Sequence, residues 1–262
     1  GKTYECKARG SFRKDGVSPL VGDRVEFEVT EEFKGIINKI FERKNFIERP
    51  PVANIDKLFI ISSYTNPTPN TLLIDKMTVI ARYNNIEPII VFNKADMGDF
   101  SQIREIYERS GFKTYTVSAL NNEGITELRS ELEDCISAFT GNSGVGKSSI
   151  LNSLFERDII KTGDISQKLG RGRHTTRHTE LYEIPPNSFV ADTPGFSTFE
   201  AGITDYKLKE MLPELFFDFK EYLPYCKFSS CTHTSDNGCA VLQALKEGKI
   251  QASRHNSYFE LF

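Results

Sequence analysis

One run of eight residues has the composition and spacing of a phosphate-binding loop. It follows the pattern G-x-x-x-x-G-K-[ST] and consists of Gly141, Asn142, Ser143, Gly144, Val145, Gly146, Lys147 and Ser148, with Ser149 directly behind it. Small residues let backbone N–H groups curl around an anion, and a helix starting near Lys147 would direct its positive end to the same place. Lys147 would reach the β- and γ-phosphates of a nucleotide, and the Ser148 hydroxyl would bind Mg²⁺.

A second motif, Asn93-Lys94-Ala95-Asp96, would select guanine. It follows Ile89–Phe92, an apolar run predicted to be a buried parallel strand, and ligands of open α/β sheets bind at the carboxyl ends of such strands. The Asp96 carboxylate would accept from guanine N1–H and the 2-amino group, neither of which adenine offers. We expect this carboxylate to be buried, so leaving it unpaired would be costly and the discrimination strong. The Lys94 stem would lie over the base, and Asn93 would tie this loop to the phosphate loop. Alone the motif is weak, because any Asn/Asp turn after a strand resembles it.

Two further segments complete a guanine-nucleotide site. Lys113–Val117 alternates like a strand and leads into Ser118-Ala119-Leu120, where the Ala119 N–H would donate to guanine O6. Ser188–Ala191 is another predicted strand, and it leads into Asp192-Thr193-Pro194-Gly195. Asp192 would hold Mg²⁺ through water, and the Gly195 N–H would contact the γ-phosphate.

The segment between the phosphate loop and Asp192 contains Gly170-Arg171-Gly172-Arg173-His174-Thr175-Thr176, which is glycine-rich, basic and polar. This composition predicts a mobile loop of the switch I type. Thr175 or Thr176 would supply a second protein hydroxyl to Mg²⁺, and both alternatives stay open.

These motifs occur in a rotated order. In an ordinary GTPase the phosphate loop comes first and the base-recognition loop last, whereas here Asn93–Asp96 precedes Gly141–Ser148. Such a circular permutation is permissible because the site is assembled from the ends of parallel strands. The sequence therefore predicts a circularly permuted α/β GTPase domain with a mostly parallel sheet, which the chain leaves just after Gly195.

Different structure is predicted on either side of that domain. Asp23–Val29 and, more loosely, Gly35–Ile40 alternate polar and apolar residues, and glycines at 16, 22 and 35 mark expected turns, so a small five-stranded barrel fits. Basic residues interleaved with aromatics favour RNA contact there, although the many acidic residues fit an ordinary solvated surface equally well. Pro50-Pro51 marks the linker between this barrel and the GTPase domain. Within the GTPase domain, Leu72–Tyr83 is predicted to be an amphipathic helix. Phe216–Phe219 favours packing between the last domain and the GTPase domain.

The C-terminal region contains Cys226-x4-Cys231-x-His233-x5-Cys239. Three thiolates and one imidazole form a closed tetrahedral set for a structural zinc ion. The spacing differs from the common C-x2-C pattern, so small buried residues of a helical domain are the alternative. Of the remaining cysteines and histidines, Cys135 is predicted to be a core residue, and His178 and His255 receive no role.

Together these motifs resemble the circularly permuted, ribosome small-subunit-dependent GTPases of the RsgA family, also called YjeQ or YloQ. The resemblance covers essentially the whole chain and includes Val21–Val25, Arg43-Lys44-Asn45 and Ala53–Asp56. It implies a multi-domain fold: an all-β OB-fold barrel over residues 1–52 that binds RNA, the permuted GTPase domain over 53–200, and a mainly α zinc-binding domain over 201–262. The zinc ligands would be Cys226, Cys231, His233 and Cys239.

The resemblance also implies a function. Members of the family act late in assembly of the small ribosomal subunit, and the subunit stimulates their GTP hydrolysis. We therefore expect GTP or GDP with Mg²⁺, one structural Zn²⁺, and the small subunit and its rRNA as partners. A scaffold that binds rRNA and uses GTP only to order its loops is the alternative.

Catalysis has one gap. Ras-like GTPases place a glutamine directly after the D-x-x-G motif to orient water, and this chain has Phe196 there. Intrinsic hydrolysis should be slow. His174, in the G-x-x-x-H-T-T pattern that the family shares, is the best internal candidate for orienting water, alongside Lys147 and the two threonines. RNA binding or capping of a turn is the alternative role for His174.

Composition agrees with this plan. The chain of 262 residues is 39% hydrophobic and 26% charged, and no apolar run approaches the roughly 20 residues of a membrane span. An odd count of five cysteines beside a P-loop favours a reducing cytoplasm. We expect a monomer without membrane contact. The net charge of −3 does not itself favour RNA. Residue 1 is not methionine, so we expect the chain to start inside a longer sequence, with the first barrel strand before it.

Overall fold

The computed structural model describes residues 2–10, 12, 16–48, 51–155, 180–184, 187–192 and 206–262. Its central sheet has six strands: β6 (Lys57–Ser63), β7 (Glu87–Asn93), β8 (Lys113–Val117), β9 (Ile136–Thr140), β10 (Glu180–Ile184) and β11 (Ser188–Asp192). Their order is β10-β11-β9-β6-β7-β8. Only β10 is antiparallel to its neighbour; the other four pairings are parallel. The sheet is therefore mostly parallel, as predicted.

Helices cover both faces of this sheet, as parallel strands require. Alternation along β6 sends Leu58 and Ile60 into one core and Phe59 and Ile61 into the other. The first core is closed by α1 (Thr71–Tyr83) and α2 (Ser101–Arg109), and the second by α3 (Ile125–Ser130) and α4 (Lys147–Phe155). No helix in the described part of the chain combines the length and hydropathy needed to cross a bilayer.

Five short strands precede the central sheet. They are β1 (Glu5–Ala8), β2 (Val25–Glu31), β3 (Lys34–Ile40), β4 (Phe46–Glu48) and β5 (Pro51–Ala53). β3 lies between β1 and β2, and β4 pairs with β5. The turn that Gly35 marks lies at residues 32–33, and β3 begins directly after it, so Gly35 is the second residue of the strand. A Cβ on Gly35 would stand 2.8 Å from the Phe27 ring, so glycine is needed for the close approach of β2.

A network of side-chain amides joins these strands to the central sheet. Asn45 imitates a strand partner, since its Nδ2 donates to the Ile55 carbonyl at 2.7 Å and its Oδ1 accepts from the Ile55 N–H at 2.9 Å. Asn54 donates to the Gly22 carbonyl at 3.0 Å and accepts from the Lys44 N–H at 3.0 Å. The Lys44, Asn45 and Asn54 motifs noted in the sequence thus build the joint between the two regions.

The C-terminal region is helical. It contains α5 (Tyr206–Leu215), α6 (Ala240–Lys246), α7 (Ala252–Leu261) and two 3-10 turns, Phe217–Phe219 and Leu223–Tyr225. The predicted packing role of the phenylalanine cluster is confirmed. Phe216 and Phe219 are fully buried, and the Phe217 ring lies 6.1 Å from Phe112 and 3.5 Å from the Arg82 guanidinium. The prediction for Cys135 is also confirmed, since only 7% of this residue is exposed.

Candidate functional site

Three of the predicted nucleotide motifs lie at the carboxyl edge of the sheet. The phosphate loop follows β9, the guanine loop (residues 93–96) follows β7, and the second base loop (residues 118–120) follows β8. β6 separates β9 from β7, and the loop after β6 (residues 64–70) therefore lies between the phosphate loop and the guanine loop. Parallel strands end on the same side, so all four loops meet at one edge.

Asn93 connects three segments of this edge. Its side chain is 2% exposed. Its Nδ2 donates to the Val145 carbonyl of the phosphate loop at 2.9 Å, and its Oδ1 accepts from the Ala119 N–H of the second base loop at 3.2 Å. A Cβ on Gly146 would lie 2.2 Å from Asn93 Nδ2. Glycine at 146 therefore permits the contact that was predicted between the guanine loop and the phosphate loop.

Lys147 holds the phosphate loop together in this structure. It is the first residue of α4, and its Nζ donates to the carbonyl oxygens of Gly141 at 2.5 Å and Asn142 at 2.9 Å. Burial disfavours the charged ammonium and lowers the pKa of Lys147 to about 8. A nearby phosphate would oppose this effect, because an opposite charge favours the protonated form.

Asp96 is paired with Ser118. The Ser118 hydroxyl donates to Asp96 Oδ1 at 2.5 Å, and Ser118 is itself fully buried. Asp96 is exposed, although a buried carboxylate was predicted. The difference arises because Asp96 stands at the open edge of the sheet. The hydrogen bond from the buried Ser118 fixes the orientation of the Asp96 carboxylate.

Lys94 crosses from the guanine loop to the loop after β6. Its backbone is left-handed, with φ of 66°, and its Nζ donates to the carbonyls of Thr65 at 2.9 Å and Asn66 at 3.0 Å. A Cβ on Gly144 would lie 3.3 Å from the Asn66 oxygen, so the phosphate loop passes close to the same loop. Residues 64–70 were not predicted to belong to the site, because no motif in the sequence marks them.

Part of the predicted site lies outside the described residues. This applies to His174, Thr175, Thr176, Gly195 and Phe196. The backbone of Asp192 is described, and it ends β11. Because β11 is parallel to β9, Asp192 stands at the same edge of the sheet as the phosphate loop.

The C-terminal region brings the four predicted metal ligands together. The ligand atoms of Cys226, Cys231, His233 and Cys239 all lie within 4.8 Å of one another. His233 Nδ1 is 3.5 Å from the sulfurs of Cys226 and Cys239, which are 3.9 Å apart. A tetrahedral zinc ion with ordinary bond lengths would separate two sulfurs by ~3.8 Å and a sulfur from a nitrogen by ~3.6 Å. The donor set and the three distances among Cys226, His233 and Cys239 therefore fit zinc.

Two residues of α7 support the loop that carries these ligands. His255, which is 8% exposed, places Nε2 2.8 Å from the His233 carbonyl, and the Tyr258 hydroxyl donates to the Thr232 carbonyl at 2.9 Å. His255 was assigned no role from sequence because its partner is a backbone oxygen, and backbone oxygens leave no signature in a sequence. Groups of this kind orient ligands in metal sites.

Comparison with known protein families gives two matches. Residues 40–202 match the model of the RsgA GTPase family, and residues 1–37 match that of the RsgA N-terminal domain. The small ribosomal subunit biogenesis GTPase RsgA of Caldanaerobacter subterraneus subsp. tengcongensis is 44% identical over 98% of this chain and 87% of its own length. The protein of the same name from Geobacillus sp. (strain WCH70) is 44% identical over 98% of this chain and 89% of its own.

Two solved structures are similar along nearly the whole chain. The crystal structure of YjeQ from Thermotoga maritima has a TM-score of 0.81 and 34% identity, covering 97% of this chain and 87% of that one. The structure of YloQ, described as a circularly permuted GTPase, has a TM-score of 0.80 and 32% identity, covering 99% of this chain and 85% of that one.

Proposed function

This chain belongs to the RsgA GTPase family and is a GTP-hydrolysing enzyme, and from this premise we propose that it acts on the small ribosomal subunit and is stimulated by it. The family, the fold class and the circular permutation predicted from sequence are confirmed. Within the proposal, the chain divides at about residues 52 and 200 into an RNA-binding barrel, the GTPase domain and a zinc-binding domain. It works in the cytoplasm as a monomer.

The observation that carries the proposal is the connection of three loops through Asn93. Asn93 joins the phosphate loop to the second base loop. Binding of the base at one loop is therefore coupled to binding of the phosphates at the other. Asp96 accepts from the guanine edge while Ser118 holds it in place, and Lys94 covers the base. Guanine O6 competes with Asn93 Oδ1 for the Ala119 N–H, whose present bond of 3.2 Å is long.

The phosphates occupy the loop from Gly141 to Ser148, with Ser149 in the first turn of α4. There the ammonium of Lys147 exchanges its two carbonyl partners for phosphate oxygens. Ser148, Asp192 and one of Thr175 and Thr176 hold Mg²⁺, which neutralises charge on the β- and γ-phosphates when bound. The Gly195 N–H contacts the γ-phosphate, so the segment that follows it responds to hydrolysis.

Nucleotide affinity should fall as the pH rises through about 8. Free Lys147 has a pKa of about 8, and phosphate binds the protonated form and raises that pKa. Between pH 7 and pH 9 the protonated fraction of the free protein drops about tenfold, and GDP affinity should drop by a similar factor. Titration of a fluorescent GDP across this range measures it. A Lys147→Arg variant should bind with little pH dependence, because arginine stays charged. Flat affinity in the unmodified protein would contradict the prediction.

Exposed aromatic rings beside cations support contact with rRNA. Phe27, Phe33, Phe41 and Phe46 are each at least a third exposed. Lys39 Nζ lies 4.8 Å from the centre of the Phe41 ring. Stacking on aromatic rings and attraction between basic side chains and phosphates are the ordinary means of binding single-stranded RNA.

Stimulation by the subunit is tested by GTP turnover with and without purified small ribosomal subunits. Turnover of the isolated protein should be slow, because Phe196 cannot orient water, and subunits should raise it by at least about tenfold. A rate that is unaffected by saturating subunits would exclude the proposed stimulation while leaving the GTPase activity itself intact.

Replacing His174 by alanine should lower subunit-stimulated turnover by at least about tenfold, or ~1.4 kcal/mol on the barrier. In the proposal its imidazole orients the attacking water, so GTP affinity should stay nearly unchanged. His178→Ala, in the same segment, is the matched control and should keep full activity. Full activity of His174→Ala would assign the water-orienting group to the ribosomal subunit.

The nucleotide should control docking. If hydrolysis releases the protein from an assembling particle, small subunits should bind it at least about tenfold more tightly with a non-hydrolysable GTP analogue than with GDP. Sedimentation of the protein with small subunits in the two nucleotide states measures the difference. Equal binding in both states would end the release model.

A further inference from the structure

The largest buried ion cluster in the described part of the chain lies between the C-terminal helices and α1. Arg254, on α7, is 1% exposed, and it pairs with Asp75 of α1 at 2.5 Å and with Asp218 at 2.9 Å. Asp75 is fully buried. The guanidinium also lies 4.6 Å from the centre of the Phe216 ring and 5.2 Å from that of Phe112. The nucleotide chemistry described above uses none of these charges.

Arg254 is adjacent in sequence to the support of the metal cluster. The next residue, His255, contacts the carbonyl of the ligand His233, and Tyr258 one turn later contacts Thr232. Helix α7 therefore contacts the metal-ligand loop through His255 and Tyr258, and it contacts α1 through Arg254. A shift of α7 relative to the metal-ligand loop would move the Arg254 guanidinium.

The N-terminal end of α1, about one turn before Asp75, reaches the nucleotide edge. The helix begins after Asn70, whose Oδ1 accepts from the Leu73 N–H at 3.1 Å. The preceding loop carries the Thr65 and Asn66 carbonyls that bind Lys94 Nζ, and it passes beside Gly144 of the phosphate loop. A cleft of about 20 Å³, lined by residues of α1 and of the phosphate loop, separates the two elements.

We propose that Arg254 is a positioning residue through which the metal cluster and the nucleotide site are linked: metal occupancy holds α7, Arg254 holds α1, and α1 holds residues 64–70 against Lys94 and the phosphate loop. The inference rests on the nucleotide and zinc sites proposed above. A buried charge that loses its partner is strongly unfavourable, so α1 follows Arg254 instead of separating from it. By reciprocity, nucleotide binding strengthens metal binding by the same factor.

The test compares the affinity of a fluorescent GDP for the zinc-loaded protein and for the same protein after chelation. Removal of zinc should weaken GDP binding at least about fivefold, the lower end of ordinary coupling between sites. Equal affinities would overturn the proposal. Absence of GDP binding to the zinc-loaded protein would instead refute the proposed nucleotide site, so the two failures are distinct.

Two variants separate Arg254 from other contacts across the interface. The triple variant Asp75→Leu, Asp218→Leu, Arg254→Met replaces the ion cluster by apolar side chains of similar volume, which buried ion clusters often tolerate. In this variant zinc should change GDP affinity less than half as much as in the unmodified protein, because only the apolar contacts of α1 with the C-terminal region still respond to the loss of metal. The control, Arg109→Ala, removes an exposed contact with the Gly248 carbonyl at 3.1 Å and an exposed ion pair with Glu105 at 3.8 Å, and it should keep the full zinc effect. A triple variant that kept the full effect would overturn the role of Arg254.

Hydrogen exchange in the unmodified protein gives a test that needs no variant. Chelation should accelerate exchange at the amides of residues 64–75, while the amides of β7 (Glu87–Asn93) should stay protected and show that the sheet remains folded. Unchanged exchange over residues 64–75 would overturn the proposal.

Discussion

Replacing Asp96 by asparagine should lower the affinity for GTP by about a hundredfold or more and create affinity for xanthosine triphosphate. The carboxylate is proposed to accept from two guanine donors, and hydrogen bonds to a charged group contribute ~1.5–3 kcal/mol each. Losing both removes about 3 kcal/mol or more, and ~1.4 kcal/mol corresponds to a factor of ten. Xanthine carries an oxygen where guanine carries its 2-amino group, so the new amide can donate to it.

Competition of GTP and xanthosine triphosphate against a fluorescent nucleotide measures this exchange of preference. Asp99→Asn is the matched control: this exposed carboxylate lies three residues further on and accepts from the Ser101 N–H at 2.8 Å. It should leave both affinities unchanged. Unaltered GTP binding by Asp96→Asn would remove Asp96 from the base site and would leave the guanine loop without its selecting group.

The second large effect is expected at the metal cluster. Purified protein should contain one zinc ion per chain, and Cys231→Ser should lose it together with the fold of the C-terminal region. The ligand loop from Cys226 to Cys239, which the structure describes in full, contains no helix or strand; within it His233 is left-handed with φ of 59°, and Cys239 accepts from the Leu242 N–H at 3.4 Å. Structural zinc contributes ~10–16 kcal/mol to small domains. Loss of even several kcal/mol should lower the melting temperature by ~10 °C or more.

Elemental analysis and thermal unfolding monitored by circular dichroism give the two measurements. Cys6→Ser is the control, because this half-buried cysteine of β1 lies outside the cluster, and it should keep both the zinc content and the melting temperature. Protein without zinc, or a Cys231→Ser variant that melts like the unmodified protein, would contradict the proposed site.

Local chemistry explains what could be predicted at the candidate site. A loop that curls around phosphate needs glycines at fixed steps, and Gly146 indeed lies where a Cβ would meet Asn93. Buried parallel strands need continuous apolar runs, so the bounds of β7 and β11 were predicted within one or two residues. The spacing of the ligands from Cys226 to Cys239 likewise predicted a metal-binding cluster, and the structure brings these residues together. The roles assigned to His174, Thr175 and Thr176 stay predictions.

Environment was harder to predict than position. Asp96 was placed at the correct edge but was taken to be buried, and it is exposed. Gly35 was expected only to mark a turn, and the structure shows that it also permits the close approach of Phe27 on the neighbouring strand. In both cases the deciding quantity is the distance to atoms far along the chain, and a residue type constrains that distance only weakly.

The sequence by itself determined the order of the motifs, and with it the permuted topology, because each motif is a local backbone and side-chain requirement satisfied within a few residues. Only the tertiary structure decided how the parts are joined. Arg254 meets Asp75 across 179 residues, and His255 meets a carbonyl 22 residues away. Such contacts exist only once α1 is packed between the sheet and the C-terminal helices. In the low-dielectric interior, separating the Arg254 and Asp75 charges would be strongly unfavourable, so this pair holds the two helices together. The spacing of residues in the sequence gives no sign of such a pair.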